Sequence, residues 1–259
     1  MSAATAPPPG YTRLKRAHME VVARTSMAAA VEQALSAGTL YAYAQHHPRT
    51  RMLVGRGIVY AVPLPDDAGN VVVRHSRHGG VLAPVTGDRF LGHGRAPYEL
   101  EVALHLERAG IPTPEIVAYA AYPAGGPFRS TDIVTREVPD ARDLAGALAD
   151  APPPHRKRAL LAATATLMAQ LALAGVRHPD LNLRNILVAP DENGALEAQV
   201  LDVDRVWFDA PGAPAVRSAN QRRFNRSARK LRRREGLAIE DADLLWIAAT
   251  VRERTEDGV

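Results

Sequence analysis

The chain has 259 residues, of which 46% are hydrophobic and 23% charged, a composition typical of a globular protein with one large domain or two smaller ones. It contains no cysteine, which excludes disulfide bonds and thiolate metal sites and fits a reducing cytoplasm. The positive net charge of +4 comes from one segment, because residues 217–234 contain nine cations and no acid. The remainder of the chain is net acidic.

Residues 1–26 are predicted to form a flexible leader, because they contain the proline run Pro7 to Pro9 and lack an apolar segment before their charged residues. A signal peptide would need such a segment. A short helix is expected over 27–37, ending at Gly38. Three strands with turn residues between them are predicted next, at 51–54, 58–62 and 71–74.

The middle of the chain changes from strands to helices. A helix is predicted over 98–109, because its apolar residues recur at helical spacing, and strands follow within 111–122 and 131–138. The apolar stretch 159–175 is shorter than the roughly 20 residues that span a membrane and is interrupted by polar residues. It is therefore predicted to be a buried core helix.

The order of these elements predicts an α+β fold with two unlike domains, because the strands come first and the helices after. Residues 27–138 are expected to form an antiparallel sheet with one main helix. Residues 139–259 are expected to be mostly helical, apart from strands near 186–188 and 199–203.

The sequence HPDLNLRNILV, from His178 to Val188, has the spacing H-x-D-L-x-x-x-N of a kinase catalytic loop. Phosphoryl transfer needs a carboxylate near the acceptor hydroxyl and oxygen ligands for Mg²⁺, because positioning and charge neutralisation do most of the catalytic work. Asp180 is the candidate catalytic carboxylate and Asn185 a candidate metal ligand. His178 is expected to have a structural role, bracing the backbone of the loop.

A second candidate metal ligand is Asp202, which follows the apolar run of QVLDVDR at the position of the aspartate in a D-F-G segment. Upstream, Gly55, Arg56 and Gly57 form a turn between two predicted strands, where backbone amides can approach phosphates. The G-x-G pattern alone is weak, since it usually marks a hairpin turn.

The cation expected on the ATP phosphates is Arg74, in V-V-V-R, where kinases carry lysine in V-A-I-K. No lysine lies between Arg16 and Arg156, so an arginine must serve if this domain binds ATP. Arginine keeps the charge, but its wide fork differs from a compact ammonium. Its partner should be an acid on the predicted helix, either Glu99 or Glu101.

Taken in order, several segments resemble the 3-deoxy-D-manno-octulosonic acid (Kdo) kinases of lipopolysaccharide core assembly. The resemblance covers about residues 55 to 235 and is carried by GRG, RHSRHGG, IPTPEIVAYA, TDIVTREVPDARDLAGAL, HPDLNLRNILV, LDVDR and NRSARKLRRR. Arginine in the lysine position and D-x-D in place of D-F-G are features of that branch. By position, the helix glutamate of the family falls on Glu99, its catalytic aspartate on Asp180 and its metal ligands on Asn185 and Asp202.

The resemblance implies a protein kinase-like bilobal fold with a nucleotide-binding lobe over 27–138 and a catalytic and acceptor-binding lobe over 139–259. It implies ATP and Mg²⁺ as cofactors, and a lipid-linked acidic sugar of the Kdo-lipid A type as the acceptor. The enzyme would be a phosphotransferase with an alcohol group as acceptor. It would act in lipopolysaccharide biosynthesis as a peripheral protein at the cytoplasmic face of the inner membrane, where basic residues meet anionic head groups.

Six arginines are expected to contact the anionic acceptor or the membrane: Arg77, Arg184, Arg222, Arg223, Arg226 and Arg229. The plainer interpretation of the basic run is a solvated helix face relieved by the acids just downstream. Nucleic acid is not expected, because only Phe224 interrupts the cations as an aromatic residue.

Two alternative functions remain open at this point. A soluble phosphotransferase of the aminoglycoside or choline kinase type also carries H-x-D-x-x-x-x-N, but its acceptor pocket would be acidic, whereas the candidate acceptor surfaces here are basic. A non-catalytic pseudokinase is the other alternative. Asp180, Asn185 and Asp202 together weigh against it, and Arg74 is its only support.

Overall fold

The computed structural model describes residues 6–16, 18–54, 58–75, 90–91, 95–126 and 128–256. These residues belong to two compact units. The first unit consists of the chain up to Glu101 together with 115–137. The second consists of 102–114 and the chain from Val138 onward.

The first unit is built on an antiparallel sheet. Its described strands are β1 (Tyr11–Arg16), β2 (Met19–Arg24), β3 (Arg51–Val54), β4 (Ile58–Pro63), β5 (Asn70–His75), β6 (Phe90–Leu91), β7 (Ile116–Pro123) and β8 (Phe128–Arg136). Their order is β1-β2-β7-β8-β5-β4-β3, and β6 pairs with the first residues of β8. The strands predicted at 51–54, 58–62 and 71–74 are confirmed as β3, β4 and β5.

Helices α1 (Ala28–Ala34), α2 (Leu40–His46) and α3 (Ala96–Arg108) follow in the same part of the chain. The helix predicted over 27–37 is α1, continued by a 3₁₀ turn at Leu35–Ala37. Sequence patterns missed α2, which has seven residues and is too short for a clear apolar period. It begins after Thr39, whose hydroxyl accepts a hydrogen bond from the amide of Ala42, an N-cap contact.

The predicted flexible leader is wrong over residues 11–16 and 19–24. These residues form β1 and β2, which pair with each other from Tyr11↔Arg24 to Arg16↔Met19, and β2 pairs in turn with β7. The Tyr11 hydroxyl also donates a hydrogen bond of 2.5 Å to the carbonyl oxygen of Ile116. Because β7 lies about a hundred residues further along the chain, the local composition of the leader does not reveal this pairing.

The second unit is mostly helical, as predicted. Its elements are β9 (Arg142–Asp143), α4 (Leu144–Ala149), α5 (Pro154–Leu173), β10 (Val176–Arg177), β11 (Ile186–Pro190), β12 (Leu196–Val200), β13 (Trp207–Phe208), α6 (Pro214–Glu235) and α7 (Asp241–Glu256). Two small antiparallel sheets, β12-β11-β9 and β10-β13, lie among the helices. These two sheets support the loops that carry the candidate catalytic residues.

Residues 102–114, which the sequence analysis places in the first domain, belong to the second unit. The reason is a pair of hydrogen bonds to the end of β12. The Val200 amide donates to the Pro112 carbonyl oxygen at 2.9 Å, and the Thr113 hydroxyl donates to the Val200 carbonyl oxygen at 2.9 Å. Helix α3 is therefore divided between the two units, with the change after Glu101.

Helix α5 is the buried core helix predicted from the apolar stretch 159–175, and half of its 20 residues are buried. Gly175 follows it with a φ of 71°, and a Cβ at that position would overlap the carbonyl oxygen of Asp209. Glycine is required here because the backbone passes so close to the segment after β13. Within the described ranges, no helix combines the length and apolarity needed to cross a bilayer.

Candidate active site

The loop between β10 and β11 carries Asp180 and Asn185 and ends in a 3₁₀ turn at Leu183–Asn185. The Asn182 side chain starts this turn, since its Oδ1 accepts a hydrogen bond from the Arg184 amide at 2.9 Å. Leu181 and Leu183 are fully buried and anchor the loop in the core. The sequence D-L-N-L-R-N therefore alternates buried leucines with polar residues that shape the turn.

The backbone of Asp180 is fixed on both sides. Its carbonyl oxygen accepts hydrogen bonds from the side-chain amides of Asn182, at 2.8 Å, and Asn185, at 2.9 Å. Its own amide donates to Nδ1 of His178 at 3.2 Å. The Asn185 amide also approaches Oδ2 of Asp180, at 3.4 Å, a long contact. The loop thus holds the backbone of Asp180 in a defined place, as a positioned catalytic group requires.

His178 connects this loop to the strand that precedes Asp202. Its ring is buried, and Nε2 lies 3.0 Å from the carbonyl oxygen of Leu201. Because Nδ1 accepts from the Asp180 amide, the neutral ring carries its proton on Nε2 and donates it to Leu201. These contacts give His178 the structural role expected from the sequence. Burial lowers the pKa of the His178 imidazole, because it penalises the charged form.

This lowered pKa makes the stability of the second unit depend on pH. Below about pH 6.5 the unfolded chain binds a proton at His178 that the folded chain resists, so the free energy of unfolding should fall as the pH decreases from 7 to 5. In His178→Gln that decrease should be shallower. Denaturant unfolding followed by tryptophan fluorescence measures it, since Trp207 and Trp246 both lie in the second unit.

His155→Gln is the matched control for this experiment, because His155 is an exposed histidine at the start of α5 in the same unit. Its pH dependence of unfolding should follow that of the parent protein. Equal slopes for the parent and His178→Gln would show that His178 does not contribute to the acid sensitivity.

Asp202 follows β12 in a left-handed conformation, with φ 59° and ψ 51°, which is uncommon for residues other than glycine. The Leu201 amide donates to the Asn185 carbonyl oxygen at 2.9 Å, so the Asp202 turn is tied to the end of the catalytic loop. Strained backbone of this kind is concentrated at functional sites. Asp202 and Asn185 thus come from adjoining segments of the second unit.

The two residues fit a magnesium ion by their chemistry. Carboxylate and amide oxygens are ligands that Mg²⁺ accepts, and Mg²⁺ at phosphoryl-transfer sites uses one or two carboxylates with the remaining positions filled by substrate and water. Across the described ranges, no cluster of three or more His, Asp or Glu side chains forms a complete metal cage.

In the first unit, Arg74 on β5 forms an ion pair with Glu99 in the first turn of α3. The Glu99 side chain is 5% exposed and that of Arg74 is 29% exposed. Glu101, the other acid considered for this position, is exposed. Glu99 is therefore the ion-pair partner of Arg74, and the Arg74 guanidinium stays partly accessible.

A neighbouring buried pair was missed by the sequence analysis. Asp132 on β8 is completely buried, and its Oδ1 lies 2.6 Å from Nδ1 of His75. Its Oδ2 accepts a hydrogen bond of 2.9 Å from the Tyr41 amide in α2. The pair therefore ties the end of β5, next to Arg74, to the beginning of α2.

Gly55, Arg56 and Gly57, predicted to approach the phosphates, lie outside the described residues, as does Arg77. The flanking strands β3 and β4 are described and pair antiparallel from Arg51↔Ala61 to Val54↔Ile58. The prediction for these four residues stays a prediction.

The arginine run forms most of α6, and its arginines differ in whether they pair with acids of the same unit. Arg223, predicted to contact an external anion, bonds through its guanidinium to Asp180, and its contact with an anion stays a prediction. Arg229 and Arg232 both donate to Asp241, and these two guanidiniums hold the pKa of the Asp241 carboxyl below its usual range. Arg184 pairs with Glu235 at 2.6 Å. Acids of this unit therefore neutralise part of the run.

The remaining exposed face of α6 is strongly cationic. A cavity of about 350 Å³ lies against it, lined by Arg222, Asn225, Arg226, Arg229 and Arg233. These positions recur at offsets of three and four residues and so share one side of the helix. We call Arg222, Arg226 and Arg233 the arginine stripe. Among the described residues, no ion pair involves these three side chains, which leaves their charge available to an external anion.

Residues 51–245 of the chain match the lipopolysaccharide kinase (Kdo/WaaP) family. The chain is 31% identical over 158 residues to the 3-deoxy-D-manno-octulosonic acid kinase of Vibrio parahaemolyticus, covering 60% of this chain and 59% of that protein. It is 33% identical over 187 residues to the 3-deoxy-D-manno-octulosonic acid kinase of Xanthomonas oryzae pv. oryzae, covering 69% and 68%. The matched region thus spans about three fifths of the length of the Vibrio protein.

A solved structure described as WaaP in complex with acyl carrier protein is 20% identical, covers 80% of this chain and 89% of that one, and has a TM-score of 0.45. The kinase-like order of elements is present in this chain independently of that similarity. An antiparallel sheet with the Arg74–Glu99 pair precedes a mostly helical unit with the catalytic loop and Asp202. This order and the family match confirm the predicted fold class, and the chain belongs to the lipopolysaccharide kinase (Kdo/WaaP) family, whose members are phosphotransferases acting on a hydroxyl group.

Proposed function

We propose that this protein transfers the γ-phosphoryl group of ATP to a hydroxyl of a lipid-linked Kdo sugar in lipopolysaccharide core biosynthesis. The observation that carries the proposal is the fixed backbone of Asp180, in a loop that also supplies Asn185 and is tied to the Asp202 turn. These are the residue types and the order that phosphoryl transfer requires.

In the proposed reaction the acceptor oxygen forms a bond to the γ-phosphorus as the bond from that phosphorus to the bridging oxygen of ATP breaks. ADP leaves with the electron pair, and the acceptor proton goes to the Asp180 carboxylate. Asp180 also orients the hydroxyl, because a correctly placed nucleophile removes much of the entropic part of the barrier. The buried leucines and the paired amides around Asp180 make this orientation reproducible.

Asn185 and Asp202 would hold Mg²⁺ through the Asn185 amide oxygen and the Asp202 carboxylate. The bound ion would neutralise charge on the phosphates. The Asn185 side-chain nitrogen is already engaged with Asp180, which orients the amide oxygen for the role of ligand.

In the first unit, Arg74 would contact the ATP phosphates, together with the backbone of Gly55, Arg56 and Gly57. Glu99 holds the guanidinium in place and is itself almost fully buried. The buried His75–Asp132 pair fixes the end of the strand that carries Arg74. These contacts restrict a cation that would otherwise sample many rotamers.

The proposed acceptor is an acidic sugar on lipid, and two features support this choice. The relatives from Vibrio parahaemolyticus and Xanthomonas oryzae are named as Kdo kinases, and the Kdo sugar carries a carboxylate. The arginine stripe is suited to anions, and each basic residue near an anionic membrane contributes about 1 kcal/mol. The enzyme would then act as a peripheral protein at the cytoplasmic face of the inner membrane.

The test is to incubate the protein with Mg-ATP and a Kdo-bearing lipid A precursor and to look for one added phosphate by mass spectrometry. The expected product gains a single phosphate on the Kdo residue. Aminoglycosides and choline are tested in parallel, and transfer to one of these instead would favour a soluble small-molecule kinase. ATP binding with no transfer to any acceptor would favour a pseudokinase.

The arginine stripe provides a prediction about the membrane. Arg222, Arg226 and Arg233 changed together to Gln should weaken binding to vesicles containing anionic lipid by about 10²-fold at low salt, since each charge contributes about 1 kcal/mol. The attraction is screened over about 10 Å at 0.1 M salt, so parent binding should fall steeply as salt is added. Vesicle cosedimentation at several salt concentrations measures both effects.

A matched variant controls for net charge in this experiment. Arg108, Arg156 and Arg252 are exposed arginines on α3, α5 and α7, and changing all three to Gln removes the same charge away from the stripe. Vesicle binding of this control should stay close to that of the parent. If both triple variants lose binding equally, net charge and not the stripe attracts the protein to membranes.

A further inference from the structure

The catalytic loop contains one cation of its own, Arg184, and the structure directs it away from the reacting group. Its guanidinium donates to Glu235 at the end of α6. The cation that touches Asp180 comes instead from the middle of α6. Arg223 donates from Nη2 to Oδ1 of Asp180 and from Nε to the carbonyl oxygen of Pro179, at 3.0 Å.

The two bonds of Arg223 fix two different parts of the loop. The Nε bond holds the backbone one residue before Asp180, and the Nη2 bond holds the carboxylate itself. Only a guanidinium can span a backbone carbonyl and a carboxylate in this way, because its donors lie in one rigid fork. A lysine ammonium at the same position would present its donors from a single nitrogen and would lack the spread of the guanidinium fork.

The helix that carries Arg223 is itself attached to the loop. Asn220, three residues earlier on the same side of α6, accepts from the His178 amide at 3.0 Å and donates to the Val176 carbonyl oxygen at 2.8 Å. Phe224 next to Arg223 is completely buried. The position of Arg223 is therefore set by buried contacts, and its guanidinium reaches Asp180 from a rigid support.

The exposure of the pair indicates a role in orientation more than in stability. The side chains of Arg223 and Asp180 are 27% and 26% exposed, so solvent screens the ion pair. A screened pair contributes little to the free energy of unfolding. It still restricts the rotamer of Asp180, and catalysis is sensitive to displacements of about 1 Å in such groups.

We infer that Arg223 is a positioning residue for the phosphoryl transfer, acting through Asp180 by holding its carboxylate and the preceding carbonyl in the orientation that receives the acceptor hydroxyl. This inference rests on the proposed function, in which Asp180 is the catalytic carboxylate.

A double-mutant cycle tests the inference with full-length protein, Mg-ATP and the Kdo-bearing lipid A precursor. Arg223→Gln should lower kcat about tenfold, the effect of losing one charge-assisted hydrogen bond, with the KM for ATP within about twofold of the parent. In the Asp180→Asn background the same change should lower kcat by less than about twofold, because Arg223 acts through the carboxylate that is already gone. Arg223→Lys should recover part of the loss.

Arg217→Gln is the matched control. Arg217 lies on the same helix, has a side-chain exposure of 25%, and donates to Thr255 and Glu256 instead of the loop. Its kcat should equal that of the parent. Parent-like turnover of Arg223→Gln would overturn the inference, and so would an equal fold-loss in the parent and Asp180→Asn backgrounds.

Crystal structures of the parent and of Arg223→Gln provide a second measurement that does not need an identified acceptor. The Asp180 carboxylate should leave its parent rotamer in the variant. An unchanged rotamer would overturn the inference even if the enzyme is active. By contrast, absence of transfer by the parent to any acceptor would count against the proposed function, while the rotamer comparison would still decide the role of Arg223.

Discussion

Asp180→Asn should lower kcat for phosphoryl transfer by about 10² to 10⁴, the range that a positioned general base contributes. Asparagine has nearly the same shape, and its amide oxygen can still accept the hydrogen bond from Arg223, so the loop should stay folded. It cannot receive the acceptor proton. Mg-ATP affinity should therefore stay within a few-fold of the parent while turnover falls.

Asp191→Asn is the control for the loss of a carboxylate. Asp191 is exposed in the turn after β11, where its Oδ1 accepts from the Asn193 and Ala195 amides, and an asparagine oxygen can do the same. Single-turnover kinetics and calorimetric titration with Mg-ATP should give the same turnover rate and the same Mg-ATP affinity for this control as for the parent. If Asp180→Asn turned over at the parent rate, Asp180 would lose its catalytic role and the proposed mechanism with it.

The parts of this fold that the sequence predicted correctly are those with local signals. Strands β3, β4 and β5 are short apolar runs separated by turn residues, and α5 contains a single apolar stretch that ends at a glycine. The sequence reduced the possible partners of Arg74 to two acids, Glu99 and Glu101, because both lie on the predicted helix. Arg74 and Glu99 are 25 residues apart. Burial then distinguished Glu99 from the exposed Glu101.

The errors concern contacts between distant parts of the chain. Arg223 and Asp180 are 43 residues apart, and His75 and Asp132 are 57 apart, so no local pattern shows that either pair meets. A run of arginines predicts a cationic face, yet which of its members turn inward depends on the element against which the helix packs. Residues 11–16 and 19–24 form strands for the same reason, since the composition of this segment does not show that β2 pairs with the distant β7.

Arg74→Ala is expected to have two separable effects. It takes the guanidinium away from the Glu99 carboxylate, whose side chain is 5% exposed, and removing one member of a buried pair typically destabilises a protein by about 3–5 kcal/mol. It also removes the cation proposed to contact the ATP phosphates. Since a hydrogen bond to a charged group contributes about 1.5–3 kcal/mol, kcat/KM for ATP should fall by about 10²-fold.

The double variant Arg74→Ala/Glu99→Ala distinguishes these effects. Removing both charges also removes the buried Glu99 carboxylate, so most of the free energy of unfolding lost in Arg74→Ala should return, because a buried ion pair can often be replaced by apolar residues at little cost. Its kcat/KM should remain about 10²-fold below the parent, since the double variant still lacks the cation. Glu101→Ala, a change at an exposed acid two residues along the same helix, should match the parent in both measurements. If activity returned together with stability in the double variant, Arg74 would serve only to neutralise Glu99, and the phosphate contact would have to be assigned to another residue.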